Sequence, residues 1–165
     1  MQNKPCLDVC CGGRLFYFEK ESNIVTFQDI REGKYEFSPG RTILVKPDKI
    51  QDFRNLEYPD GGKEGFSLVV FDPPHLKRCG DKSFLGIKYG KLPAEWKEYI
   101  ERGFEECFRV LKDDGILYFK WSSVQISVKE VLQLSPYRPL LGDQRGTTRR
   151  IIFIKNKVLK RIDYL

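Results

Sequence analysis

The stretch FSLVVFDPPHL, residues 66–76, constrains this chain more than any other. Six apolar or small residues in a row, bounded by Gly65 and a proline pair, read as a strand buried on both faces, as in a parallel sheet. The run ends on an acid, two prolines and the only histidine of the chain. Proline fixes its own φ and pushes the residue before it toward extended backbone. Asp72 is therefore held extended at the end of a buried strand, with the carbonyls that follow aimed in set directions.

Other segments supply the rest of an α/β pattern. Residues 6–10 read as a short strand broken by Gly12-Gly13, and residues 14–20 could open a helix. Residues 23–28 (NIVTFQ) are β-rich and end at Asp29. Residues 31–41, with Gly33, Pro39 and Gly40, read as a loop. Residues 42–46 (TILVK) could form a short strand, and residues 49–53 lead to another strand end at Asp52. Residues 79–92, rich in Gly and Lys, read as a long loop. From 93 to 111, Trp96, Tyr99, Ile100, Phe104, Cys107, Phe108 and Leu111 recur at spacings of three and four, which marks a helix with a buried face. Pro93 suits its start, and Asp114-Gly115 a stop beyond its end. Residues 116–121 (ILYFKW) and 149–155 (RRIIFIK) read as strands, with a short helix over 127–134 between them. Strands alternating with helices give an α/β fold with a mostly parallel sheet, organised as one domain over 1–165.

In such sheets ligands bind outside the carboxyl ends of the strands. Asp8, Gly12, Asp29, Asp52 and Asp72 all fall at or just after an expected strand end, so they gather at one edge. The turn LDVCCGGR lacks the third glycine of the dinucleotide fingerprint and carries bulky Leu15 and Phe16 beyond it, which disfavours a pyrophosphate. Asp29, about twenty residues on, suits a ribose diol. Asp52 suits the amine of an adenine, with Phe53 on its ring. At Asp72-Pro73-Pro74-His75, a carboxylate and a carbonyl accepting both N–H bonds of a planar amine would favour a more nucleophilic nitrogen. A flat side chain in the fourth position could stack on the target ring.

These residues carry a resemblance. Asp8-Val9-Cys10-Cys11-Gly12-Gly13 resembles motif I of class I S-adenosylmethionine-dependent methyltransferases. Asp72-Pro73-Pro74-His75 resembles their motif IV, in the form found in amino methyltransferases acting on nucleic-acid bases. FEECFRVLKDDGILYFKW is similar to the helix and fifth strand of that family. Small proteins of phages and Gram-positive bacteria share DPPHL and GFEECFRVL. The resemblance implies a Rossmann-like fold and S-adenosylmethionine as cofactor. Asp8, Cys10, Gly12 and Gly13 would lie at its methionine end, Asp29 at its ribose, and Asp52 with Phe53 at its adenine. Asp72 and the Pro73 carbonyl would receive the target amine, most simply adenine N6, with Pro74 stiffening the turn and His75 stacked above. Two departures stand out. Arg14 replaces the third glycine of motif I, where it could restrict the pocket or meet the methionine carboxylate. His75 replaces a larger aromatic.

Charge bears on the partner. The net charge is +6. Residues 75–91 hold Lys77, Arg78, Lys82, Lys88 and Lys91 against the single acid Asp81, interleaved with Phe84 and Tyr89, as suits a loop that contacts phosphates and stacks on a base. Arg145, Arg149, Arg150, Lys155, Lys157, Lys160 and Arg161 form a second basic cluster. DNA or RNA is thus the expected partner, and with no separate target-recognition domain a partner subunit is an option. A small-molecule or protein-amide acceptor, or a non-catalytic nucleic-acid-binding relic of the fold, are the alternatives. The five cysteines are an odd number in a chain without the cast of a small secreted protein, which favours reduced thiols in the cytoplasm. Cys6, Cys10 and Cys11 lack a second Cys/His cluster, so no metal is expected. No signal peptide and no apolar run of about 18 residues suggest a membrane.

Overall fold

The run at 66–71 forms the strand around which the sheet is built. The computed structural model describes residues 4–80 and 83–161. Along the chain these form β1 (Cys6–Asp8), β2 (Val25–Asp29), β3 (Gly33–Ser38), β4 (Arg41–Val45), β5 (Lys49–Ile50), β6 (Phe66–Phe71), α1 (Phe84–Tyr89), α2 (Trp96–Val110), β7 (Leu111–Ser122), α3 (Val128–Leu132), β8 (Leu141–Arg145) and β9 (Thr148–Ile154). Seven strands make one sheet in the order β5-β2-β1-β6-β7-β9-β8. The first five run parallel, while β9 is antiparallel to both β7 and β8. The order turns back between β1 and β6, so the crevice expected of a Rossmann-like sheet opens at their carboxyl ends. The fold is Rossmann-like, α/β and mostly parallel.

The larger core cluster lies on one face, and a smaller one of Cys11, Val25 and Phe27 on the other. Alternate residues of the strands point to the first, and Leu7, Val69, Phe71, Leu117, Phe119 and Phe153 are fully buried. The apolar stripe of α2 meets them: Phe104 packs 5.4 Å from the ring centroid of Phe71 and 4.8 Å from that of Phe119. α3 joins the same cluster through Val131, Val128 and Leu132. Gly103 makes this approach possible, because a Cβ there would sit 2.6 Å from Phe71 Cζ and 2.8 Å from Phe53 Cε2.

Several expectations are corrected. Residues 14–20 are not helical but a series of turns, and Arg14 has a φ of 55°, which no α-helix accepts. The loop expected at 31–41 is mostly strand: β3 pairs with β4 in an antiparallel hairpin outside the main sheet. The long loop expected at 79–92 contains α1, capped by Ser83, whose hydroxyl accepts from Gly86 N at 3.1 Å. Asp114-Gly115 lies within β7 rather than beyond a helix stop, since α2 passes directly into that strand. β8 lacks an apolar pattern because all five of its residues are exposed at the sheet edge. The central strands are also less covered than their apolarity suggests: on the face away from α2, Leu68, Tyr118, Ile152 and Ile154 are only partly buried, and Ile116 is 39% exposed. No helix among the described residues is long and apolar enough to cross a membrane.

Alanine is favoured over glycine in a helix by about 1 kcal/mol, but crowding two rings in a packed core costs about 1–3 kcal/mol. Gly103→Ala should therefore lower the urea midpoint of unfolding at unchanged slope. A midpoint at or above that of the parent chain would show that the Phe71 and Phe53 rings yield freely.

Candidate active site

A cavity of ≈ 350 Å³ lies at the carboxyl edge of β1, β2 and β6. The turn after β1 supplies Cys10, Gly12 and Gly13, β2 supplies Asp29, and the loop after β5 supplies Asp52 and Phe53. Asp72 and Pro74 line it from the end of β6. The sequence-derived set thus converges, apart from Asp8, Pro73 and His75, which are buried and do not line it.

The four acids are held in four different ways. Asp8 is 1% exposed; it accepts from Cys10 N at 3.1 Å and from the Tyr17 hydroxyl at 2.8 Å. Burial pushes its pKa up to about 7 against those two hydrogen bonds, with Asp72 and Asp29 adding repulsion. It lies beneath the cavity, engaged by Tyr17, rather than open to a methionine amine. Asp29 accepts from Gly12 N at 2.9 Å on Oδ2, and from Arg31 N at 2.9 Å and Nε at 3.2 Å on Oδ1. Asp52 is gripped by Arg54, with Nη2 at 2.6 Å from Oδ2 and Nε at 3.0 Å. Partial burial pushes the Asp52 carboxyl up, but the Arg54 bonds outweigh it and hold the pKa below the ordinary value. Asp72 is anchored through its backbone N, which donates to Cys10 Sγ at 3.2 Å, and its Oδ2 accepts from Lys120 Nζ at 3.0 Å.

The glycine turn is built for close approach. Gly12 has a φ of 49°, and a Cβ on Gly13 would meet Ile43 Cγ1 at 2.7 Å, so the β3–β4 hairpin lies against the turn. Arg14 does not face the cavity. Its guanidinium is buried 3.9 Å over the Phe27 ring, donates to the carbonyls of Lys20 and Lys46, and pairs with Asp48 at 3.2 Å. The expected encounter with a cofactor carboxylate is therefore replaced by a clamp that pins the irregular 14–21 segment to the strand connections.

His75 also departs from expectation. It is 7% exposed, with its ring centroid 5.1 Å from that of Tyr89 and 6.2 Å from that of Trp121. Burial and then Lys120 push its pKa down to about 4, with the Pro73 backbone opposing them, so the ring is neutral at pH 7. Among the aromatic side chains that line the cavity is Tyr89, from the end of α1, with His75 packed against it. Tyr89, which the sequence places in a base-stacking loop, lines the site, and so do Lys120, Arg31, Phe16 and Tyr99, for which the sequence reading gave no site role. Of the latter, only Lys120 had a local signal, a lone cation within an apolar strand.

All five cysteines are free. No group of three or more His, Cys, Asp or Glu side chains among the described residues could hold a metal ion. The C-terminal basic cluster is partly committed internally: Lys155 Nζ donates to Leu111 O at 2.6 Å, Arg161 to Leu132 O at 3.0 Å, and Arg150 pairs with Asp143 at 3.0 Å. Asp81 and Lys82 lie outside the described residues.

No protein-family model matches the chain, and no curated protein matches it in sequence. Solved structures do resemble it. The PH0226 protein of Pyrococcus horikoshii OT3 aligns with a TM-score of 0.57 at 15% identity, over 90% of this chain and 80% of that one. A methyltransferase of Pyrococcus furiosus aligns with a TM-score of 0.45 at 16% identity, over 92% and 74%. The likeness to the first is one of fold.

The protonation of Asp8 makes a stability prediction. Its ordinary value is 3.8, and the folded chain holds the proton to about 7. Between those values the folded state binds more protons than the unfolded state, so stability falls as pH rises through that window. Asp8→Asn removes this dependence. Its stability relative to the parent chain should increase by about 2 kcal/mol from pH 5 to pH 7. Urea unfolding at both pH values checks this, and a constant difference would place the Asp8 titration outside the window.

Proposed function

We propose that the chain is an S-adenosylmethionine-dependent N-methyltransferase acting on the exocyclic amine of a nucleic-acid base, adenine N6 first among them. The observation that carries this reading is the corner at Asp72. A carboxylate on a strand end fixed by two prolines lines the same cavity as a glycine turn, Asp29 and the ring of Tyr89.

The residues present fit the cofactor. The cavity is within the usual range for small-molecule sites, about 300–1,000 Å³. Asp29 Oδ2 takes one backbone donor and keeps capacity for a ribose hydroxyl. Phe53 and Tyr99, whose ring centroids are 4.9 Å apart, form an aromatic wall beside Asp52. Gly12 leaves the turn open, since a Cβ there would meet nothing within 4 Å. Bound there, S-adenosylmethionine supplies an electrophilic methyl group on a sulfonium.

The chain's own part is to position the amine. Asp72 accepts an N–H of a planar amine and so favours a lone pair free for attack, while Tyr89 offers a ring face to the base. Tyr89, rather than His75, fills the stacking role. Arg31, Lys88, Lys91 and Lys120 all line the cavity, a cationic border suited to a substrate that brings phosphates.

Two variants separate the halves of this reading in a labelled-methyl transfer assay against DNA, RNA and protein pools. Asp72→Ala should abolish transfer with cofactor affinity changed less than about threefold. Asp29→Ala should weaken cofactor binding by about tenfold or more, the worth of a good charged hydrogen bond. Undiminished transfer by Asp72→Ala would remove this corner from the reaction. Binding to single-stranded oligonucleotides should weaken steeply with salt, and a flat dependence would point to an acceptor without phosphates.

A further inference from the structure

Asp72 does not face the cavity alone. Strand pairing sets Phe71 opposite Phe119, so the next residue of each strand, Asp72 and Lys120, reaches the same corner. Their side chains are 13% and 19% exposed, and Nζ stands 3.0 Å from Oδ2. The same Nζ lies 4.6 Å from the Phe16 ring centroid and 5.6 Å from that of Tyr89. An ammonium with a carboxylate and two aromatic rings around it is held in place by all three.

We propose that Lys120 is the positioning residue of the acceptor corner: it keeps Asp72 ionised and turned into the cavity, so that an incoming amine meets a carboxylate rather than a carboxylic acid. The distinction matters chemically. A carboxylate only accepts hydrogen bonds, whereas a protonated acid presents an O–H that competes with the amine's own donors. The surroundings of Asp72 otherwise favour protonation. Burial raises its pKa above the ordinary carboxylate value overall, and Lys120 is the largest influence that opposes this, followed by Lys88 near the end of α1. Asp8 at the end of β1, Asp29 at the end of β2 and the Cys10 thiol crowd the same site, and Tyr118 of β7 lies near. Across β9, Arg150 is paired with Lys120 in register but is engaged by Asp143. Lys120 is thus the only described side chain that hydrogen-bonds the Asp72 carboxylate with a positive charge. The ammonium also selects against a cationic acceptor, which would have to enter beside a like charge, and tolerates a neutral base amine.

The consequence for catalysis rests on the methyl-transfer reading, whereas the ionisation of Asp72 is a property of the free chain and is measured without it. The carboxyl carbon of Asp72 is followed by NMR against pH in the full chain, its signal identified by its loss in Asp72→Asn. In Lys120→Met the midpoint should rise by about one pH unit or more, as loss of an adjacent opposite charge dictates. Lys120→Arg should restore it. If Lys120→Met does not fold, Lys120→Gln, neutral but still a donor, gives the same reading. In transfer assays the acidic limb of kcat/KM should move up with the midpoint while cofactor affinity stays within about threefold. A midpoint unmoved in the neutral variants overturns the proposal. A moved midpoint in a chain that transfers methyl to no acceptor sustains the role of Lys120 and overturns the functional reading alone.

Discussion

Three carboxylates gathered at one end of a parallel sheet, Asp8 and Asp29 buried and Asp72 largely so, repel one another, and the loops of this protein are arranged around that repulsion. Asp8, Asp29 and Asp72 end adjacent strands β1, β2 and β6. Each is neutralised differently: Asp8 by retaining its proton against Tyr17, Asp29 by backbone N–H groups and Arg31, Asp72 by Lys120. The neutralising groups come from three separate segments, so satisfying the acids also places those segments. Arg31 shows this best. Having bonded Asp29, it donates onward to Ile87 O at 2.9 Å, near the end of α1. The helix that carries Tyr89 and Lys88 over the cavity is thereby tied to the acid at the end of β2. Phe37 of β3 and Phe84 of α1 complete the tie, with ring centroids 4.8 Å apart.

The same segments take over the work of helices that a sheet of this kind commonly uses. Between β1 and β2 the chain makes turns, whose backbone groups lack a helical ladder. Arg14 compensates by donating to two carbonyls in two connections, stacked on Phe27. Its positive φ is the conformational cost of turning sharply after Gly12-Gly13. The β3–β4 hairpin then rests on the glycine turn through Ile43.

How much of this was legible follows from where each signal resides. The strands at 66–71 and 116–121 and the helix at 93–111 were readable because continuous apolarity and three-and-four spacing are local consequences of burial. The acids at strand ends followed from the parallel order. The burial of His75 was not readable, because it depends on Tyr89 and Trp121, fourteen and forty-six residues away, packing around its ring. Helix α1 was hidden by its shortness and by Gly86 within it, although Ser83 is an ordinary cap. Asp8 looked like its fellow acids, yet Tyr17 intercepts it, a contact that depends on the 14–20 segment failing to be helical. Arg14 read as a cation near a ligand because charge is visible in sequence and burial is not.

β7 unites these points. Its alternation sends Leu117, Phe119 and Trp121 into the core and Ile116, Tyr118 and Lys120 to the other face. On that second face, Phe16 meets Tyr118 edge-on at 6.1 Å and lies beneath the Lys120 ammonium. The irregular segment after β1 is thus seated on the strand by aromatic contact, and the cation that meets Asp72 rises from the same row. Because side chains alternate with a period of two, a slip of one residue in the β6–β7 register would exchange Lys120 with a core aromatic. The packing of Phe119 and Trp121 against α2 and its neighbours therefore fixes the position of the charge at the site. The site's electrostatics are inherited from the core, which is why a lysine between a phenylalanine and a tryptophan is the residue to read first in that strand.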